Sequence, residues 1–163
     1  MTEIIGSFYK KLWVLRFLKK SGMDQDGLLK IYKSVIRAAV EYCSVIYHSL
    51  IPKYMADRLE SVQRQAARII FGRNMDYDGI MSSGRLDTLE NRRKEACLKF
   101  AIKAQQSDRF GLRWFPRNGA ERTARDSTRR VYQERACRTE RDRNNPLQYM
   151  LRLLNDQEQK SND

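Results

Sequence analysis

The stretch Leu28–Pro52, LLKIYKSVIRAAVEYCSVIYHSLIP, decides how this chain is read. Its apolar side chains fall at Leu28, Tyr32, Val35, Ile36, Ala39, Cys43, Ile46 and Leu50. Steps of three and four line them along one helical face, and no strand-like alternation fits the same letters. The spacing predicts one continuous helix from about Leu28 to Ser49, with Asp24 or Asp26 as its cap and Pro52 either stopping it or starting the next helix.

The same reading extends to both sides. Upstream, Ile4, Ile5, Phe8, Leu12, Leu15 and Leu18 form one face over residues 3–20, and Ser21-Gly22 ends that helix with a residue free to turn left-handed. Downstream, Met55, Leu59, Val62, Ala66, Ile69 and Ile70 predict a helix over Lys53–Phe71, closed by Gly72. The stretch 73–85 holds Asn74, Asp76, Asp78, Gly79, Ser82, Ser83 and Gly84 and reads as a loop with one helical turn near Asp78–Met81. Asp76 and Asp78 are turn formers in this setting rather than metal ligands. A fourth helix is expected from Thr88 to Ser107, capped by Asp87 or Thr88, with Leu89, Ala96, Cys97, Phe100 and Ala104 inward.

Beyond Ser107 the character changes. Arginines stand at 109, 113, 117, 122, 125, 129, 130, 135, 138, 141 and 143, with five acids and no lysine among residues 109–143. Such a segment has little apolar surface to bury against its ordering entropy. Residues 108–145 are therefore expected to form an irregular, partly disordered arm anchored by Trp114 and Phe115. A short helix over 146–155 shows Leu147, Met150, Leu151 and Leu154 on one face, and the tail 156–163 is expected to fray. The expected fold class is all-α: four helices around one core over 1–107, a basic arm and a short terminal helix, without internal repeats.

Lys plus Arg is 32 against 20 for Asp plus Glu, a net charge of +12. That balance attracts phosphate polymers or anionic lipid, with nucleic acid favoured. Lys10, Lys11, Arg16, Lys19 and Lys20 surround the first helix, with Tyr9 and Trp13 available to stack; an ordinary solvated face is the alternative. Arg64 and Arg68, one turn apart, suit successive phosphates, although Glu60 competes for Arg64. Arg92 and Arg93 oppose the dipole at a helix start and so require a partner, either Glu90 and Glu95 or an external anion. Arg129 and Arg130 of the arm complete the candidate nucleic-acid-binding set. Arg37 and Glu41 are spaced either for an intrahelical pair or for a buried orienting role.

Little in the sequence supports chemistry. Cys43, Cys97 and Cys137 are odd in number and lie outside CxxC pairs, which points to a reducing compartment. His48 is the only histidine and has no partner at useful spacing. No metal, cofactor or small-molecule substrate is expected, and no nucleotide-binding, serine-hydrolase or zinc-protease motif occurs. The N-terminus is too charged for a signal peptide, and no apolar stretch would span a bilayer. The expected setting is intracellular, in nucleus or cytoplasm, without membrane contact.

Four segments in order, LWVLRFLKKSG (12–22), the opening stretch (28–52), LESVQRQAARIIFG (59–72) and LDTLENRRKEACLKFAIK (86–103), resemble a known region. It is the helical thumb, and the segment just beyond it, that follows the palm in reverse transcriptases of non-LTR, LINE-type retrotransposons. The resemblance covers residues 3–107 and continues through FPRNGAERTAR (115–125) and CRTERDRNNPLQYMLRLLN (137–155). Tyr32, Arg37, Glu41 and Tyr42 match the family's aromatic–arginine–EY pattern, and His48 matches the residue after its usual tryptophan. Glu60, Gln63, Arg68 and Ile70 match its E-x-x-Q…R-x-I signature. Leu86, Leu89, Arg92 and Arg93 match its L-x-x-L-x-x-RR pattern. Val40 replaces a usual leucine and Tyr47 the usual tryptophan; both keep bulk and apolarity.

The family's catalytic aspartate box, of the F/YADD type, does not occur in this sequence. The resemblance therefore implies a non-catalytic, C-terminal portion of an RNA-directed DNA polymerase. Its thumb-like part, 1–107, would clamp RNA or an RNA–DNA hybrid by the backbone, beside a palm domain. Tyr32, Arg37, Glu41, Tyr42, Glu60 and Gln63 would be its structural motif. A stand-alone helical protein-interaction module derived from such a thumb is the alternative, and completion of a polymerase in trans with a separate palm chain is a third reading.

Overall fold

The computed structural model describes residues 2–72, 74, 76–117 and 130–161. The fold class is all-α: among these residues the only strand-like feature is an isolated bridge between Arg117 and Tyr132. Contacts divide the chain into two compact units, residues 1–44 with 51–93 and residues 45–50 with 94–163. The division falls inside a helix, between Arg93 and Lys94, rather than after residue 107.

In the first unit, α1 (Thr2–Lys20) buries Phe8, Leu12 and Leu15. It ends at the expected glycine, Gly22, whose φ of 86° is reached without a Cβ penalty. Helix α5 (Lys53–Phe71) has the expected bounds and buries Leu59, Val62, Ala66, Ala67 and Ile70 along one stripe. Gly72 closes it at φ 103°. The two helices pack together and run parallel. Tyr9 Oη lies 2.6 Å from Ser61 Oγ, and ten residues on, Lys19 Nζ donates to the Ile69 carbonyl at 2.5 Å. Burying a leucine-sized side chain contributes about 1.5–3 kcal/mol, so Leu12, Leu15 and Ile70 are major terms in the stability of this pair.

The single helix expected over Leu28–Ser49 is not what forms. α2 (Gln25–Ile31) passes into a π-helical segment, Tyr32–Arg37, then α3 (Ala38–Glu41), a break at Tyr42–Cys43, and α4 (Ser44–Tyr47). The π ladder bonds i to i+5 and winds more residues into each turn. The buried positions are accordingly Leu28, Tyr32, Ile36, Val40 and Ser44, in strict steps of four. Val35, Cys43, Ile46 and Leu50, expected inside, are exposed. The break centres on Cys43, at φ 56°, a left-handed conformation that L-residues with a Cβ seldom adopt.

A short α6 (Tyr77–Ser82) occupies the expected loop; the Asp76 carboxylate accepts the Asp78 N–H, and Ile80 anchors the turn. Helix α7 (Leu89–Gln105) follows, with the Thr88 hydroxyl accepting the Asn91 N–H. Leu86 and Leu89 are buried in the first unit.

In the second unit, α7 contributes Ala101 and Ala104 to a core shared with Phe115, Tyr132, Met150, Leu151 and Leu154. Phe100, expected inward, is exposed, and Ala101 takes the inner position. Within the arm, α8 (Gly111–Trp114) and α9 (Glu140–Arg143) are single turns. The stretch 118–129, with Arg129, lies outside the described residues. Helix α10 begins at the expected Pro146, in its first turn, and the Asn145 side chain caps it by accepting the Leu147 N–H. It runs to Lys160 rather than ending near Leu154, because Gln157, Glu158, Gln159 and Lys160 are good helix formers that need no burial. Buried Asn155 holds the arm to it, accepting from Tyr132 N–H at 2.8 Å and donating to the Tyr132 carbonyl at 3.2 Å.

Candidate nucleic-acid interface

Parallel packing brings the C-terminal ends of α1 and α5 to the same end of the first unit. A groove of about 820 Å³ opens there, lined by Arg16, Lys19, Lys20, Gln65, Arg68, Ile69 and Gly72. Both helix ends present carbonyls, and their partial negative charge favours cations nearby. Lys19 answers that directly, donating to the Ile69 and Ile70 carbonyls. The side chains of Arg16, Lys20 and Arg68 are exposed and make no ion pair or hydrogen bond among the described residues. Three unneutralised cations thus converge on one open groove.

The other basic candidates of the first unit are placed differently. Lys10 is exposed on α1, and Lys11 lies over the Phe8 ring at 5.6 Å. Arg64 does not line the same groove as Arg68. It stacks over Tyr77 at 5.4 Å and lines a separate cavity with Asp57, Glu60, Asp78 and Glu90, surroundings too acidic for a phosphate. Arg92 is claimed internally: its Nε and Nη2 donate to the two oxygens of Glu41, Nη2 at 3.0 Å. The partner expected at Glu90, Glu95 or an outside anion is therefore a carboxylate from the π-containing segment. Arg93 is 1% exposed and sits inside the unit, so it does not grip a backbone from the surface. In the second unit, Arg130 pairs with Glu134 at 2.6 Å.

The motif residues form two polar clusters. Gln63, fully buried at the middle of the α5 stripe, accepts from Tyr32 Oη–H at 2.8 Å. It donates to Tyr77 Oη at 2.9 Å and to the Asp87 carbonyl at 2.8 Å. Tyr77 donates to Glu60 Oε1 at 2.5 Å, and Glu60 Oε2 accepts the Leu89 N–H at 3.0 Å. One network therefore ties α5 to the π segment, α6 and the start of α7. Burial pushes both tyrosine hydroxyls well above the ordinary tyrosine range, and the hydrogen bond to Glu60 adds to the effect at Tyr77. In the second cluster Glu41 lies between Arg92 and Arg37, the latter at 3.7 Å. Burial lowers the Arg37 pKa, and Arg92 lowers it further. Tyr42 stands apart from both, 77% exposed at the break.

His48, in the second unit, is half-buried with Nε2 3.0 Å from Tyr149 Oη and its ring edge-on to that tyrosine. Among the described residues no three His, Cys, Asp or Glu side chains gather to hold a metal. Nor is any described helix long and apolar enough to cross a membrane. Sequence reasoning missed the Lys19 cap, the Gln63 network and Asn155, because each depends on a partner far along the chain. The chain matches no family model, no curated protein and no solved structure.

Proposed function

We propose that the first unit is a nucleic-acid clamp that grips a phosphate backbone at the joint end of α1 and α5, without chemistry of its own. On this reading the chain is the thumb and following region of a non-LTR retrotransposon reverse transcriptase, acting on RNA or an RNA–DNA hybrid beside a catalytic palm. The observation that carries it is the convergence of Arg16, Lys20 and Arg68 on one open groove with no internal counter-charge. The ordered motif segments of the sequence supply the rest.

Three phosphate contacts imply that log K falls with log salt at a slope of about −2 for a single strand and nearer −3 for a duplex. The double variant Arg16→Ala/Arg68→Ala should reduce that slope by about 1.4–1.8 and weaken binding across sequences alike. Fluorescence anisotropy at several salt concentrations measures both. Affinity that ignores salt, or a slope unchanged by the double variant, removes the groove from the account. A protein-interaction module is the second reading, favoured by the outward Val35, Tyr42 and Tyr54. Capture of a protein partner that survives nuclease treatment, with no nucleic acid bound, would select it.

A further inference from the structure

Trp13 and Phe17 stand one turn apart on α1, and they are 63% and 54% exposed. Their rings stack, with centroids 5.5 Å apart and planes inclined by 21°. Phe8, Leu12 and Leu15 carry the core face of this helix, so the pair has no packing role there; Val14, 42% exposed, lies outside the core as well. Side chains advance by roughly 100° per residue along a helix. That places Lys20 and then Arg16 on the flank of the pair facing the groove, and Lys10 on the opposite flank. Lys10 precedes Trp13 by three residues and Lys20 follows Phe17 by three, so each end of the aromatic pair has a cation one turn away.

We propose that Trp13 and Phe17 are a stacking platform for unpaired bases of a single-stranded nucleic acid whose backbone lies on the Arg16–Lys20–Arg68 groove. This rests on the clamp reading and narrows it. Flat apolar faces beside a line of cations match a polyanion that carries planar bases, and every base offers a π-face. In a duplex those faces are already stacked on one another, which leaves the platform without a role. A lipid surface fits less well, because an interfacial helix needs a broad apolar face, whereas Lys10 and Arg16 with Lys20 flank the exposed rings on either side. A second copy of the chain is opposed by the +12 charge each would carry.

The test uses the full chain in a Trp114→Phe background, which leaves Trp13 as the only tryptophan. Adding an oligouridylate should quench Trp13 emission, whereas a duplex of equal length should not. Trp13→Ala should lower affinity for the oligouridylate roughly 5- to 150-fold, and Trp13→Phe should restore most of it. Duplex affinity should stay unchanged in both. Trp13→Leu keeps bulk without a π-face and should behave like the alanine variant. Far-UV circular dichroism of every variant should match the parent, since both rings are on the surface. If Trp13→Ala/Phe17→Ala binds oligouridylate normally while Arg16→Ala/Arg68→Ala does not, the platform is refuted and the clamp stands. If neither double variant weakens binding, both fall. If the aromatic variant loses only binding to phosphatidylserine vesicles, the strip is a membrane contact and the platform is refuted.

Discussion

Gln63→Leu is the substitution whose outcome depends most directly on the geometry of the first unit. Leucine matches the volume and suits the apolar stripe, so packing loss is small and the polar effect is isolated. The change strands the Tyr32 hydroxyl, which is 1% exposed and has Gln63 Oε1 as its acceptor. It also frees the Asp87 carbonyl, while Tyr77 retains Glu60. A stranded buried group costs about 1–3 kcal/mol. The Asp87 carbonyl lies nearer to water and contributes toward the low end of that range. The two losses together come to about 2–4 kcal/mol, and a net destabilisation of about 1–3 kcal/mol remains once the burial of leucine offsets part of them. Set against a total of about 5–15 kcal/mol for a domain, that is a large fraction. Urea titrations followed by far-UV circular dichroism should cover the parent, Gln63→Leu, Tyr32→Phe and the double variant. Removing the orphaned hydroxyl should recover stability, so the double variant should be at least about 1 kcal/mol more stable than additivity predicts. An additive cycle, or a Gln63→Leu variant within about 0.5 kcal/mol of the parent, would refute the network as a stabilising element.

Two further expectations follow from the polar clusters. Tyr32 and Tyr77 have folded-state pKa values above the ordinary 10.0, so their stabilisation is complete below about pH 10 and is lost as the unfolded chain ionises first above it. The urea midpoint should fall steeply above pH 10, and less so in Tyr77→Phe; a flat midpoint through that range would contradict the burial of these hydroxyls. Glu41→Ala leaves Arg37 and Arg92 facing each other without a counter-charge and should cost about 1.5–3 kcal/mol, scaled down because all three side chains keep some water contact. Glu41→Gln should recover part of this through hydrogen bonding, and a loss below about 0.5 kcal/mol for the alanine variant would show the cluster to be solvated.

How far the sequence was legible depended on whether local rules or distant partners were in control. α1 and α5 were legible because their apolar residues keep helical spacing and a glycine stands after each end. The opening stretch was misread from the same kind of pattern. Leu28, Tyr32, Ile36, Val40 and Ser44 do recur at intervals of four, but Val35, Ala39, Cys43 and Ile46 also fit an ordinary helix, and no Gly or Pro marks the break at Tyr42–Cys43. The position of Arg92 at a helix start calls for an anion, yet that anion is Glu41, 51 residues away, and no local spacing announces it. For the basic groove, the sequence marks Arg16, Lys19, Lys20 and Arg68 individually, whereas their meeting on one surface depends on α1 and α5 running parallel. Spacing alone groups Arg64 with Arg68, and the ring of Tyr77 draws it elsewhere.

The parallel arrangement of α1 and α5 also has a kinetic consequence. Parallel neighbours cannot be joined by a tight turn, and the contacts that seat them, Tyr9 with Ser61 and Lys19 with Ile69, close intervals of 52 and 50 residues. Closing such loops is entropically slow compared with winding either helix. The cations of the groove therefore become a surface only after long-range closure, and in the unfolded chain they are scattered charges. A polyanion that prefers the assembled groove would stabilise the folded unit by mass action, so the ligand would act as a fastener on the slowest contact to form.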